Sequence, residues 1–113
     1  MRVTDPALVL DMRQLREMTC EDDDLMREIL DTLIDDTSRQ IPLIESAIRD
    51  RDATECRRLA HYSKGACANV GANATAAVLE KMERYAASGS VTECGLQLAK
   101  LASEVERLRT AAK

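Results

Sequence analysis

The chain contains one histidine, His61, and its neighbours are of a kind that can do chemistry: Lys64 three residues on, followed at once by Gly65. A neutral imidazole is a nucleophile, and an ammonium one helical turn away can reach oxygens of a group attached to the ring. That pairing suits a phosphoryl group, whose transfer depends mainly on positioning and electrostatics. Set on a helical wheel at about 100° per residue, Arg57, Arg58, Lys64, Gly65 and Ala68 all lie within about 60° of His61. Leu59, Cys56, Ser63, Ala66, Cys67 and Val70 occupy the opposite side. His61 is thus expected on a solvent-facing side rather than in a core.

An ordinary solvated histidine would leave Gly65 unexplained. Glycine inside a helix costs about 1 kcal/mol relative to alanine, with no packing return on an exposed face. Gly65 and Ala68 therefore read as positions kept bare, a flat path by which another protein reaches His61.

The element that carries these residues is well punctuated. Asp52, with Glu55 three residues later, caps a helix from Ala53 to about Val70, and Gly71 is its left-handed stop. Around it the sequence reads as helices only, with Pro at 6 and 42 and Gly at 65, 71, 89 and 95. Thr4-Asp5-Pro6 signals the start of a short helix with Leu8, Met12 and Leu15 on its apolar side, ending near Met18. Thr19 and Asp22 fit a capping box, with Asp23 and Asp24 adding charge favourable to the start of the next helix. These three aspartates read as a helix start rather than a metal site, since carboxylates on adjacent helical positions diverge.

In that second helix Met26, Ile29, Leu30, Leu33, Ile34, Thr37, Ile41, Ile44 and Ile48 recur at three and four, and Pro42 predicts a kink or break near Arg39. A fourth helix over about 73–88 turns Val78, Leu79, Met82 and Tyr85 inward and ends at Gly89. Ser90 and Glu93 suggest a capping box opening a fifth, with Cys94, Leu98, Leu101, Val105 and Leu108 on one side. Arg107, Arg109 and Lys113 suit the dipole at its end. The expected fold is all-α, an up-down-up-down four-helix bundle with a short additional N-terminal helix, in one domain over 1–113.

His61 to Ala72, HYSKGACANVGA, resembles the histidine phosphotransfer (HPt) domain signature, H-x-x-K-G followed after five residues by Gly. The resemblance extends from Asp5-Pro6 through the acidic second helix and the Asp52 start to Gly89. It implies a phosphorelay intermediate in two-component signalling: His61 accepts a phosphoryl group from one receiver aspartate and passes it to another. Lys64 would stabilise phosphate and Gly65 would admit the partner. The implied partners are response-regulator receiver domains and a hybrid histidine kinase, with Mg²⁺ held by the receiver and no cofactor in this chain. Many members carry Leu where this sequence has Ser63, whose hydroxyl is expected to bond the carbonyl four residues back. The family often places a polar side chain from the next helix beside the imidazole, and spacing points to Glu83, although a solvated Glu is the commoner explanation. Arg57 and Arg58 read equally as surface charges or partner contacts.

Composition is consistent with this reading. The 113 residues are 45% hydrophobic and 32% charged, enough for one core. A net charge of −4, two tyrosines and no Trp or Phe oppose nucleic-acid binding. The longest apolar run near the start is Ala7 to Leu10, too short for a membrane span or signal peptide, so a cytoplasmic location is expected. The four cysteines form no C-x-x-C pair and read as reduced core thiols; Met12, Met18, Met26 and Met82 read as core filling, and Gly95 as a mark of close helix contact. No Gly-rich nucleotide loop is present, so the phosphoryl source is another protein and the chain is a phosphocarrier rather than a self-sufficient enzyme. Two other classes fit less well: a sensor-kinase dimerisation and phosphoacceptor domain, and a helical adaptor that binds receivers without phosphorylation. A monomer is expected, since four helices can cover one another's apolar stripes.

Overall fold

Capping residues and apolar stripes set five helices in the computed structural model, which describes residues 8–112. They are α1 (Met12–Met18), α2 (Asp23–Arg49), α3 (Ala53–Val70), α4 (Asn73–Ala87) and α5 (Val91–Ala111), with no strand among the described residues. The four long helices close a ring of neighbours: α3 packs on α2 and α4, and α5 packs on α4 and α2. The helix stripes meet in one core in which Leu15, Ile44, Leu79, Met82, Leu101 and Leu108 are fully buried. At about 2 kcal/mol for each large apolar side chain taken out of water, this shared interior is what holds the α3 surface in place.

The helix carrying His61 has the expected bounds. The Asp52 carboxylate accepts the Glu55 N–H at 3.0 Å, and Gly71 turns left-handed at φ +95°. The Ala72 N–H then donates to the Cys67 carbonyl at 2.9 Å, which satisfies a carbonyl that the helix end leaves free. A β-carbon at Gly71 would lie 2.9 Å from the Asp11 carbonyl oxygen, because the chain before α1 crosses this turn. There the Asp11 N–H donates to the Gly71 carbonyl at 2.7 Å, and the Ala74 N–H donates to that of Leu8 at 2.8 Å.

Several local expectations need correction. The Thr4-Asp5-Pro6 signal lies outside the described residues, and α1 starts at Met12, capped by Asp11, whose carboxylate accepts the Gln14 N–H at 3.1 Å. Leu8 and Met12 are exposed, leaving Leu15 as the buried residue of α1. Thr19 does not cap α2: it is buried, and its hydroxyl donates back to the Leu15 carbonyl at 2.8 Å, finishing α1. Cys20 and Glu21 then turn with positive φ, which brings Asp22 to the cap of α2, where its carboxylate accepts the Leu25 N–H. Ser90 precedes α5 but makes no side-chain cap; its hydroxyl lies 3.3 Å from that of Ser88.

Pro42 does not break α2, which runs unbroken from Asp23 to Arg49. Pro42 is exposed, so the carbonyl that loses its partner lies on the side where water can replace the bond. Met26 and Met82 fill the core, whereas Met18 is exposed, like Met12. Cys56, Cys67 and Cys94 are buried free thiols, but Cys20 is exposed in the α1–α2 turn. Burial pushes the Cys56 and Cys67 thiols up to about 11, the Cys67 shift being opposed by a contact with the Thr37 hydroxyl. A β-carbon at Gly95 would make an ordinary 3.6 Å contact with Ile48, so α5 meets α2 here without the close approach that would require glycine.

Candidate functional site

His61 projects from the middle of α3, with 69% of its side chain exposed. Directly across from it, α4 supplies Glu83, whose side chain is only 16% exposed and therefore offers a fixed carboxylate. His61 Nδ1 is 2.7 Å from Glu83 Oε2, and Lys64 Nζ is 2.6 Å from Oε1. The Lys64 approach makes an ion pair but lies off the direction of a good hydrogen bond. One carboxylate thus holds both the imidazole and the ammonium. Among the described residues no hydrogen bond engages His61 Nε2, so the ring nitrogen away from Glu83 is the one left open.

The electrostatics follow from this sharing. Desolvation by burial would raise Glu83, but contacts from Lys64 and His61, together with their charge, outweigh it and hold the carboxyl below its ordinary value. A carboxylate that stays ionised accepts the proton on Nδ1 and so fixes the ring's orientation and tautomer, as second partners of histidine do elsewhere.

Gly65 has open space around it: a β-carbon there would meet nothing within 4 Å. Ala68 is exposed one turn on, while its carbonyl accepts a 2.7 Å hydrogen bond from Gln14 Nε2, which also donates to the Asn69 carbonyl at 3.0 Å. Gln14 of α1 thereby ties down the end of the α3 surface. Arg57 and Arg58 are both exposed; Arg58 is paired with Glu55 on its own helix, which holds the guanidinium along α3. His61, Lys64 and Glu83 are brought together, Gly65 and Ala68 continue the same open face, and the two arginines flank it without touching the imidazole.

Three features were not legible in the spacing. Gln14 is one; the general need of helix-end carbonyls for donors was the only signal for it. Tyr62 is another: its hydroxyl donates to Asp36 Oδ2 at 3.1 Å, joining α3 to α2 beside His61, and that bond raises the phenol's pKa, with the aspartate charge adding to it. The third is Ser63, whose buried hydroxyl makes no hydrogen bond, contrary to the expected bond to the carbonyl four residues back. The Ser63 carbon atoms fill a core position, and nothing in the structure explains why the orphaned hydroxyl is there.

A histidine open at one nitrogen, an ammonium beside it and a bare helical face around it together offer a nucleophilic nitrogen and a cation to a group brought by another protein. The chain belongs to the Hpt domain family, whose profile matches residues 28–111. It is similar in structure to histidine-containing phosphotransfer protein B (HptB) from Pseudomonas aeruginosa PAO1, with a TM-score of 0.86 and 25% sequence identity over 94% of this chain and 92% of that one. No match was found among curated proteins.

Proposed function

We propose that this protein is a histidine phosphotransfer carrier in a two-component phosphorelay, with the phosphoryl group carried on His61 Nε2. The observation that carries the assignment of the nitrogen is the Glu83 carboxylate, 2.7 Å from Nδ1. With Nδ1–H donating to Glu83, the ring's free lone pair is on Nε2. It attacks the phosphorus of a receiver's aspartyl phosphate; the N–P bond forms, the acyl P–O bond breaks, and the aspartate leaves as a carboxylate. The imidazolium that results keeps its Nδ1 proton, and Glu83 offsets its charge. Lys64 turns from Glu83 toward the phosphoryl oxygens, a short movement for a side chain already 30% exposed. A second receiver's aspartate reverses the step.

Gly65 and Ala68 admit the receiver, and Arg57 and Arg58 contact it at the edge. The chain supplies no nucleotide site or cofactor of its own, and the Mg²⁺ such transfers use is held by the receiver. Receiver domains and a hybrid histidine kinase are its partners, with neither nucleic acid nor membrane involved; no helix among the described residues is long and apolar enough to cross a membrane. The location is cytoplasmic. Residues 1–113 act as one domain, an up-down-up-down bundle. Closure of four long helices within one chain supports a monomer and disfavours a dimerisation domain that borrows helices from a partner.

The test is the isomer of phosphohistidine formed. After transfer from a phosphorylated receiver to ¹⁵N-histidine-labelled protein, phosphorus–nitrogen coupling is expected at Nε2 of His61. Coupling at Nδ1, or a phosphoryl group on any other residue, would overturn the assignment.

A further inference from the structure

Around α4 from Glu83, a trough of about 430 Å³ opens between α4 and α5, walled by Ala74, Ala77 and Val78 of α4. At about 100° per residue, Lys81 falls on the same side of α4 as these three and about 160° from Glu83, so the trough and His61 use different faces of the bundle. Across from them α5 supplies Lys100, Glu104 and Arg107, which share one side of that helix. The short side chains of Ala74 and Ala77 leave the space open.

The charge here runs against that of the whole chain. Net charge is −4, yet three cations and one carboxylate line the trough. That carboxylate, Glu104, is buried, and both its oxygens accept from Arg107 Nη1, which neutralises the guanidinium and fixes it in place. On the neighbouring surface of α4, Arg84 is likewise paired with Glu80, while Glu93 lies two turns before Lys100 at the start of α5. Lys81 and Lys100 are exposed and, among the described residues, make no ion pair or hydrogen bond. They are the uncompensated charges of the trough, and they call for carboxylates. Lys100 and Arg107 stand two turns apart on α5, about 10 Å at 1.5 Å per residue, the spacing at which another helix presents side chains from two turns of its own face. A helix laid along α4 and α5 at this place would rest a stripe of small residues on Ala74, Ala77 and Val78 and meet cations on both flanks.

We propose that the α4–α5 trough is a second docking site, which seats an acidic helix of a partner protein with its carboxylates on Lys81, Lys100 and Arg107. Because Lys81 and Glu83 point to different sides of α4, the helix is held while His61 stays open. The contact tethers the chain to that partner and raises the local concentration of His61 around it without covering the imidazole. The charge selection stands apart from the phosphocarrier reading; only the use of the tether in phosphoryl transfer rests on it.

The probes are two stapled helical peptides with the same alanine stripe, one bordered by glutamates two turns apart and the other by glutamines. Binding to the full chain is followed by fluorescence anisotropy and by amide shifts, with inorganic phosphate as a competitor. The glutamate peptide is expected to shift Ala74, Ala77, Lys81 and Lys100 and to leave His61 and Gly65 unmoved. The glutamine peptide should bind about tenfold more weakly or worse, and phosphate should not displace the glutamate peptide at equal concentration. The double variant Lys81→Glu/Lys100→Glu changes exposed residues that do not touch His61, Lys64 or Glu83. It is expected to lose the glutamate peptide by about tenfold or more and to gain affinity for a lysine-bordered one.

Equal binding of the glutamate and glutamine peptides, unchanged binding to the double variant, or shifts confined to the surface around Lys64 would overturn the proposal. Displacement by phosphate would replace the helix with a small anion. Self-association of the wild type in sedimentation, abolished in the double variant, would replace it with a second copy of this chain. Phosphoryl transfer from a phosphorylated receiver is measured with and without saturating glutamate peptide, and an unchanged rate is expected. Transfer without peptide binding overturns the trough alone, and transfer blocked by bound peptide overturns its separation from His61. Charge-selective binding without any transfer leaves the trough standing and overturns the carrier reading.

Discussion

Gly65 and Gly71 lie on one helix and its terminus, yet they are glycine for different reasons. Gly71 is demanded by the fold: its φ is +95°, and a β-carbon would press against the Asp11 backbone 2.9 Å away. Gly65 has ordinary helical conformation and open space around it, so nothing inside the molecule requires it. A residue that costs helix stability and relieves no internal contact is accounted for by the proposed docking of a partner over this face. The contrast separates what holds α3 in place from what α3 is held in place to do.

The contrast can be broken most forcefully at Gly65. Gly65→Gln is expected to leave folding intact and to slow phosphoryl transfer by about 100-fold, the scale of a misplacement of reacting groups by about 1 Å. The smaller Gly65→Ala should raise stability by about 1 kcal/mol in denaturant titrations. A Gly65→Gln variant that transfers at the wild-type rate would remove the reason given for this glycine. Gly71→Ala should show the reverse pattern. It is expected to lose about 2 kcal/mol or more of stability, from the left-handed backbone and the contact with Asp11, while the folded fraction still transfers.

Lys64→Ala sharpens the same division within the site. Losing one charged contact to the phosphoryl group should slow transfer about tenfold, with a small drop in melting temperature because the largely buried Glu83 carboxylate loses one of its two partners. Glu83 gives a smaller, pH-dependent effect. Its carboxyl is held below the ordinary value of 4.5 in the folded protein, so its contribution to stability is fully present above 4.5 and is lost as pH falls through the lower folded value. The stability difference between wild type and Glu83→Gln should therefore shrink on acidification, as read from denaturant midpoints at a series of pH values. The smallest effect is chemical: Cys20 alone of the four thiols should react with a maleimide in the folded state, and Cys56, Cys67 and Cys94 only after denaturation.

How far the sequence carried can be seen residue by residue. The limits of α3 were legible because both its ends are set locally, by the Asp52 carboxylate and by the left-handed Gly71. The face of His61 followed from periodicity, whereas Glu83 came from the family resemblance, which implies a polar side chain from the next helix, with spacing along α4 selecting the residue. The hold of one carboxylate on both His61 and Lys64 could not, because it depends on how α4 sits across α3. Thr19 misled for a related reason. A threonine beside an aspartate-rich run is an ordinary cap in sequence, but tertiary burial turned its hydroxyl back to the Leu15 carbonyl. Residue type alone puts Cys20 and Met18 in the core, whereas the end of α1 and the turn after it leave both in solvent. The Tyr62–Asp36 hydrogen bond was likewise illegible, since the two residues are 26 positions apart and meet through helix packing alone.

Whether His61 carries the phosphoryl group is read by incubation with a phosphorylated receiver domain followed by intact mass spectrometry. Wild type should gain one acid-labile phosphoryl group, and folded His61→Gln should gain none. A phosphoryl adduct on His61→Gln, or none on wild type after exposure to a broad set of phosphorylated receivers, would show that His61 is not the carrier.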